Sequence, residues 1–161
     1  MRKNPAEIAT QLNYELTDNN EEGMFVTMFI CMYDLKKGRL EYCNAGHNPP
    51  IIGNAEGQYT FLEVKEANAP IGLWPDLEFV GEEMDLPNGS MMLLYIDGLN
   101  EAENCQQEQY GEERIIQLMT SHASQNMHDI VEALKADTDQ FRDGAEQNDD
   151  LTMLAFRRCQ R

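Results

Sequence analysis

The chain has 161 residues, 42% of them apolar and 25% charged, the proportions of an ordinary globular domain and far from those of a disordered segment. A chain of this length buries about two-thirds of the surface it exposes when unfolded, enough for one core. Twelve Lys and Arg against 29 Asp and Glu leave a formal charge of −17, which repels a nucleic-acid backbone or an anionic bilayer, so no nucleic acid and no direct membrane contact are expected.

The first element is a helix. Asn4-Pro5-Ala6-Glu7 places a capping residue, a proline at the first helical position and a glutamate three residues after the cap. Ile8, Leu12 and Leu16 follow at i, i+4 and i+8, an apolar stripe that needs a surface to pack on. From Met24 the period changes: residues 24–33 are rich in β-formers and apolar on both faces, which predicts a central strand between two layers. Asp34-Leu35-Lys36-Lys37-Gly38 then reads as a turn, with 39–44 alternating as the returning arm of a hairpin. Short strands near Ile51-Ile52 and over 59–62 continue the antiparallel sheet. A loop punctuated by Pro70, Gly72 and Pro75 precedes a further short strand around 77–84.

Residues 91–96 form a second fully apolar strand that runs straight into Asp97-Gly98. Amphipathic helices are predicted over 111–122 and 126–142, and the chain closes with a strand over 151–156, immediately preceded by Asn148-Asp149-Asp150. Strands in a run with helices grouped at the ends argue an α+β layered fold rather than βαβ units.

Cys31, Cys43, Cys105 and Cys159 contain no C-x-x-C pair and read as free thiols in a reducing compartment. Residues 1–23 carry charges among their apolar positions, unlike the apolar region of a signal peptide. The stretch 24–33 has about half the roughly 20 residues of a membrane-spanning helix. A cytoplasmic chain is expected.

The strongest chemical constellation is a pair of acidic strand ends, Asp97 on one side and Asp149 or Asp150 on the other. If their strands neighbour one another antiparallel, the carboxylates meet at one rim and repel unless a cation sits between them, the logic of a magnesium or manganese site. Plain turns account for the same residues, since Asp-Gly is a common turn dipeptide and Asn-Asp-Asp suits an Asx turn. His47 sits in a turn after a strand, where it either faces a cleft or braces the turn, and His122 and His128 lie near helix ends with no assigned role. Asp137, Asp139 and Asp143 fail the calcium-loop pattern, because Phe141 and Arg142 occupy required positions, and read as a solvated helix end. The methionines at 24, 28, 32, 91 and 92 read as core filling.

Five ordered segments together resemble one family: 24–29, then Tyr42-Cys43-Asn44-Ala45-Gly46-His47-Asn48-Pro49-Pro50, then Pro70-Ile71-Gly72-Leu73, then residues 94–102 around Asp97-Gly98, then Asp149-Asp150-Leu151-Thr152. In order and spacing they are similar to the PPM-type metal-dependent protein phosphatases, in the bacterial SpoIIE-like and RsbU-like branch. The resemblance implies an αββα sandwich of two antiparallel sheets flanked by helices, with a two-ion Mn2+ or Mg2+ centre. It also implies hydrolysis of phosphoserine or phosphothreonine by a metal-bound water, without a phosphoenzyme. Carried over by motif, Asp97 and Asp149 are ligands of one metal, and Asp150 is the weaker candidate.

The family's first motif, which supplies a carboxylate bridging both metals, has no counterpart before Met24. Residues 1–161 are therefore expected to be the C-terminal part of the domain, holding at most one ion weakly and inactive alone. His47 falls where distant relatives carry an aspartate for a third metal, so no such site is expected. The resemblance further implies a phosphorylated STAS-type anti-sigma-factor antagonist as substrate and an upstream sensor or receiver domain. Missing N-terminal strands would leave apolar surface uncovered, which predicts association into homodimers. A non-catalytic interaction module with the same fold is the alternative.

Overall fold

The computed structural model describes residues 2–18 and 20–159. It divides into two compact units, one comprising the residues up to Pro49 with Glu63–Leu86, the other Pro50–Leu62 with the residues from Pro87 on. Each is built on its own sheet, and every strand pairing is antiparallel. The α+β class expected from the sequence is what is found.

In the first unit, helix α1 (Pro5–Thr17) starts with the predicted capping box: Asn4 Oδ1 accepts the Glu7 N–H and Glu7 Oε2 accepts the Asn4 N–H, both at 2.9 Å. Its buried line differs from the expected stripe. Pro5, Ala9 and Asn13 face inward, while Leu16 is 44% exposed. Asn13 decides this, because its side chain accepts the Gly72 N–H at 2.8 Å and donates to the Trp74 carbonyl at 2.7 Å. These bonds satisfy a fully buried amide and turn the helix so that small Ala9 meets Cys43, Ala45, Ile71 and Phe79.

The sheet of this unit runs β1 (Met28–Asp34), β2 (Arg39–Ala45), β5 (Glu82–Asp85). The expectation of a central strand over 24–33 is overturned. β1 begins only at Met28, lies at the sheet edge and is half-buried, and Met24, Phe25 and Val26 are exposed. β2 is the central strand, flanked on both sides. The hairpin turn is as read: Asp34 Oδ1 accepts the Lys36 and Lys37 N–H groups, and Gly38 takes a φ of 72°.

The second unit contains β3 (Ile51–Gly53), β4 (Tyr59–Phe61), β6 (Met91–Tyr95) and β7 (Met153–Arg157) in the order β4-β3-β6-β7. The short strands β3 and β4 thus belong to this second sheet instead of extending the hairpin's sheet. β6 is an inner strand, and Met91, Met92 and Leu93 are all buried, which explains its apolarity on both faces. A one-turn helix α2 (Asp97–Asn100) follows it, then α3 (Glu112–Ser121) and α4 (Met127–Arg142), the last capped by Asn126. Ile115, Met119, Ile130 and Leu134 from the two long helices form one core with Ile51, Leu93 and Tyr95.

Candidate metal centre

The acidic rim follows from register. β6 and β7 pair antiparallel with Tyr95 opposite Met153, and the Ile96 N–H donates to the Thr152 carbonyl at 3.3 Å. The chain leaving β6 and the chain entering β7 therefore occupy the same end of the sheet. β7 starts at Met153, so the acidic pair sits a few residues ahead of the strand and not directly against it.

Asp97 opens α2: its carbonyl accepts the Glu101 N–H at 2.9 Å and its Oδ1 the Gly98 N–H at 3.1 Å. Gly98 is buried, and the Asp150 carbonyl lies on it. A Cβ at Gly98 would stand 2.8 Å from the Asp150 carbonyl carbon and 3.4 Å from that of Asp149, with the Asp150 oxygen nearer still. The glycine is required here for close backbone approach. On the facing segment, Asp149 Oδ1 accepts the Asp150 N–H at 2.7 Å, the Asp149 carbonyl accepts the Gln147 amide at 2.7 Å, and Asn148 donates to the Glu101 carbonyl at 3.4 Å. The structure thus brings the Asp97 and Asp149 segments together, and both residues are exposed.

Each carboxylate makes one short local hydrogen bond, and no other reaches it among the described residues. In kind, two solvent-facing carboxylates suit a hard divalent cation completed by water. In number they do not make a two-ion centre: the described residues contain no group of three or more His, Cys, Asp and Glu placed to hold a metal.

The other candidates are structural. Asn44 clasps the His47 turn, its Oδ1 accepting the His47 N–H at 2.8 Å and its Nδ2 donating to the His47 carbonyl at 2.9 Å. His122 is the C-cap residue of α3 and His128 lies exposed in the first turn of α4. Asp137 is not a solvated helix end. It accepts Arg114 Nε at 2.7 Å, Arg114 Nη2 at 3.1 Å and the Tyr110 hydroxyl at 2.6 Å. The Arg114 hydrogen bonds hold its carboxyl below the usual aspartate range, while burial, with help from Asp137, pushes the Tyr110 phenol up. The Arg114 guanidinium lies over the Tyr110 and Phe141 rings at 5.0 and 4.9 Å. The spacing of Tyr110 and Arg114, four apart and just before and within one helix, was the only local sign of this cluster.

Comparison with known proteins places these features in a family. The chain is 32% identical to protein IcfG of Synechocystis over 146 residues, covering 91% of this chain and 23% of that protein. It is 26% identical to the phosphoserine phosphatase RsbU of Bacillus subtilis over 156 residues, covering 96% and 45%. The chain thus spans less than half the length of these relatives. The SiaA-PP2C domain of Pseudomonas aeruginosa superposes with a TM-score of 0.78 at 22% identity, covering 96% of this chain and 61% of that one, which shows that the chain has the fold of that PP2C domain. The model of the stage II sporulation protein E family matches residues 1–159, and the chain belongs to that SpoIIE family.

Proposed function

We propose that this chain is the C-terminal part of a SpoIIE-type phosphatase domain that hydrolyses phosphoserine or phosphothreonine in a partner protein with Mn2+ or Mg2+. The observation that carries the reading is the packing of the Asp150 carbonyl on Gly98, which brings the Asp97 and Asp149 segments to one rim. The naming of RsbU as a phosphoserine phosphatase supports the reaction class. When bound, divalent cations supply an activated water and neutralise phosphoryl charge. This chain's own contribution is to present Asp97 and Asp149 as ligands of one ion, each oriented by its following amide. No segment before Met24 resembles the family's bridging-carboxylate motif, and in this reading residues 1–161 alone bind one ion weakly and are inactive.

The substrate in this reading is a phosphorylated STAS-type anti-sigma-factor antagonist, and a sensor or receiver domain upstream in the parent sets activity. The setting is the cytoplasm, consistent with four free cysteines and with no helix among the described residues long and apolar enough to cross a membrane. The test is phosphate release from a phosphorylated STAS protein by the parent with manganese. Release that is lost on Asp97→Asn supports the reading, and release that survives this change refutes the ligand assignment. The absence of a three-ligand cluster among the described residues favours a second reading, a non-catalytic module that holds its partner. In that case the parent binds the phosphoprotein without releasing phosphate.

A further inference from the structure

The segment that carries Asp149 is thinly held. Among the described residues, 146–151 make no main-chain to main-chain hydrogen bond, so side chains must fix them. Helix α4 ends at Arg142, which is only 6% exposed. Asp143 in the left-handed region (φ 49°) and Gly144 (φ 88°) turn the chain back over it. Arg142 Nη1 donates to Asp139 Oδ1 at 3.3 Å and to Gln147 Oε1 at 3.5 Å, while Nε and Nη2 are buried with no partner among the described residues. A buried cation with unpaired donors is costly and is rarely kept for stability alone. With 7% of its side chain exposed, the guanidinium has little freedom to move and acts as a post. The Gln147 amide bridges from it, with Oε1 toward Arg142 and Nε2 donating to the Asp149 carbonyl at 2.7 Å. On the far side the next peptide rests on Gly98.

We propose that Gln147, anchored by the buried guanidinium of Arg142, is a positioning residue that sets the Asp149 carboxylate beside Asp97. This rests on the reading of Asp149 as a metal ligand and extends it by one shell. Outer groups that orient a ligand commonly change metal affinity by about 10–100-fold when removed.

Gln147→Glu separates positioning from mere packing. Glutamate keeps, and by charge strengthens, the acceptor facing Arg142, yet has no N–H for the Asp149 carbonyl. On the 161-residue chain the expected result is an unchanged or higher melting temperature. Backbone order parameters at Asp149 and Asp150, read by nitrogen relaxation, should fall below about 0.6, with β6 and α3 staying at the rigid-backbone value of about 0.85. Manganese affinity by calorimetry should fall about tenfold despite the added negative charge. Arg142→Met, which removes the post but keeps its length, should give the same local loosening without a loss of melting temperature. Wild-type order parameters at Asp149 and Asp150 in Gln147→Glu would overturn the proposal, whatever manganese does. Lowered order parameters there in a chain whose wild type takes up no manganese would uphold the positioning and refute the metal reading instead.

Discussion

Gly98 and Asp150 share a space that leaves no room for a β-carbon: one built on Gly98 meets the Asp150 carbonyl oxygen directly, and the carbonyl carbon behind it at 2.8 Å. The contact is backbone on backbone, so neither side can yield by a rotamer change. It joins the end of β6 to the approach to β7 and so brings the Asp97 and Asp149 segments to one rim.

Gly98→Ala is therefore expected to destabilise the chain by about 1–3 kcal/mol through overpacking and to push the Asp149 segment away from Asp97. Thermal melting and manganese titration measure the two effects. An alanine variant with unchanged melting and unchanged manganese affinity would show that the segment moves aside freely.

Asp137 binds Arg114 and the Tyr110 hydroxyl in a partly exposed cluster. Replacement by Ala should cost about 1–2 kcal/mol, allowing for solvent screening of a pair whose side chains are 39% and 27% exposed. The folded carboxyl titrates below its unfolded value. Its contribution is therefore fully present above about pH 4 and is lost as pH falls through the lowered folded value. Denaturant titrations across that window should show an acid-side loss that is smaller in Asp137→Ala than in wild type.

Cys43, at the core of the first unit, has its thiol pushed from 9.0 up to about 11 by burial. The folded state holds this proton more tightly than the unfolded chain does, so the contribution is full below about pH 9 and fades as pH rises through 11. Wild type should lose stability in that interval, and Cys43→Ala should lose less of it. Equal alkaline slopes for the two proteins would contradict the assignment.

Asn13 is fully buried, and its amide serves both the Gly72 N–H and the Trp74 carbonyl. Asn13→Leu adds apolar bulk but strands two main-chain groups, and should destabilise by about 2–3 kcal/mol. A neutral or stabilising effect in urea denaturation would mean that α1 does not depend on this amide.

Much of the fold was legible in residue order because the relevant signals are local. The capping box of α1, the Gly38 hairpin and the helices carrying Ile115 and Ile130 follow from spacing and turn chemistry. The apolar run over 91–96 ending in Asp97 shows a buried strand and where its acid would emerge. What spacing could not show is which partner each segment takes. Residues 24–33 are apolar enough for a central strand, yet the order β1-β2-β5 leaves β1 at an edge and Met24 to Val26 exposed, because strand order is a long-range choice that composition does not encode. The buried line of α1 moved to Ala9 and Asn13 because two loop groups sixty residues away needed partners. Sequence alone determined that Asp97 and Asp149 stand near strand ends. The tertiary structure decided that their segments meet, because the antiparallel register of β6 with β7 and the missing β-carbon of Gly98 let the two backbones touch.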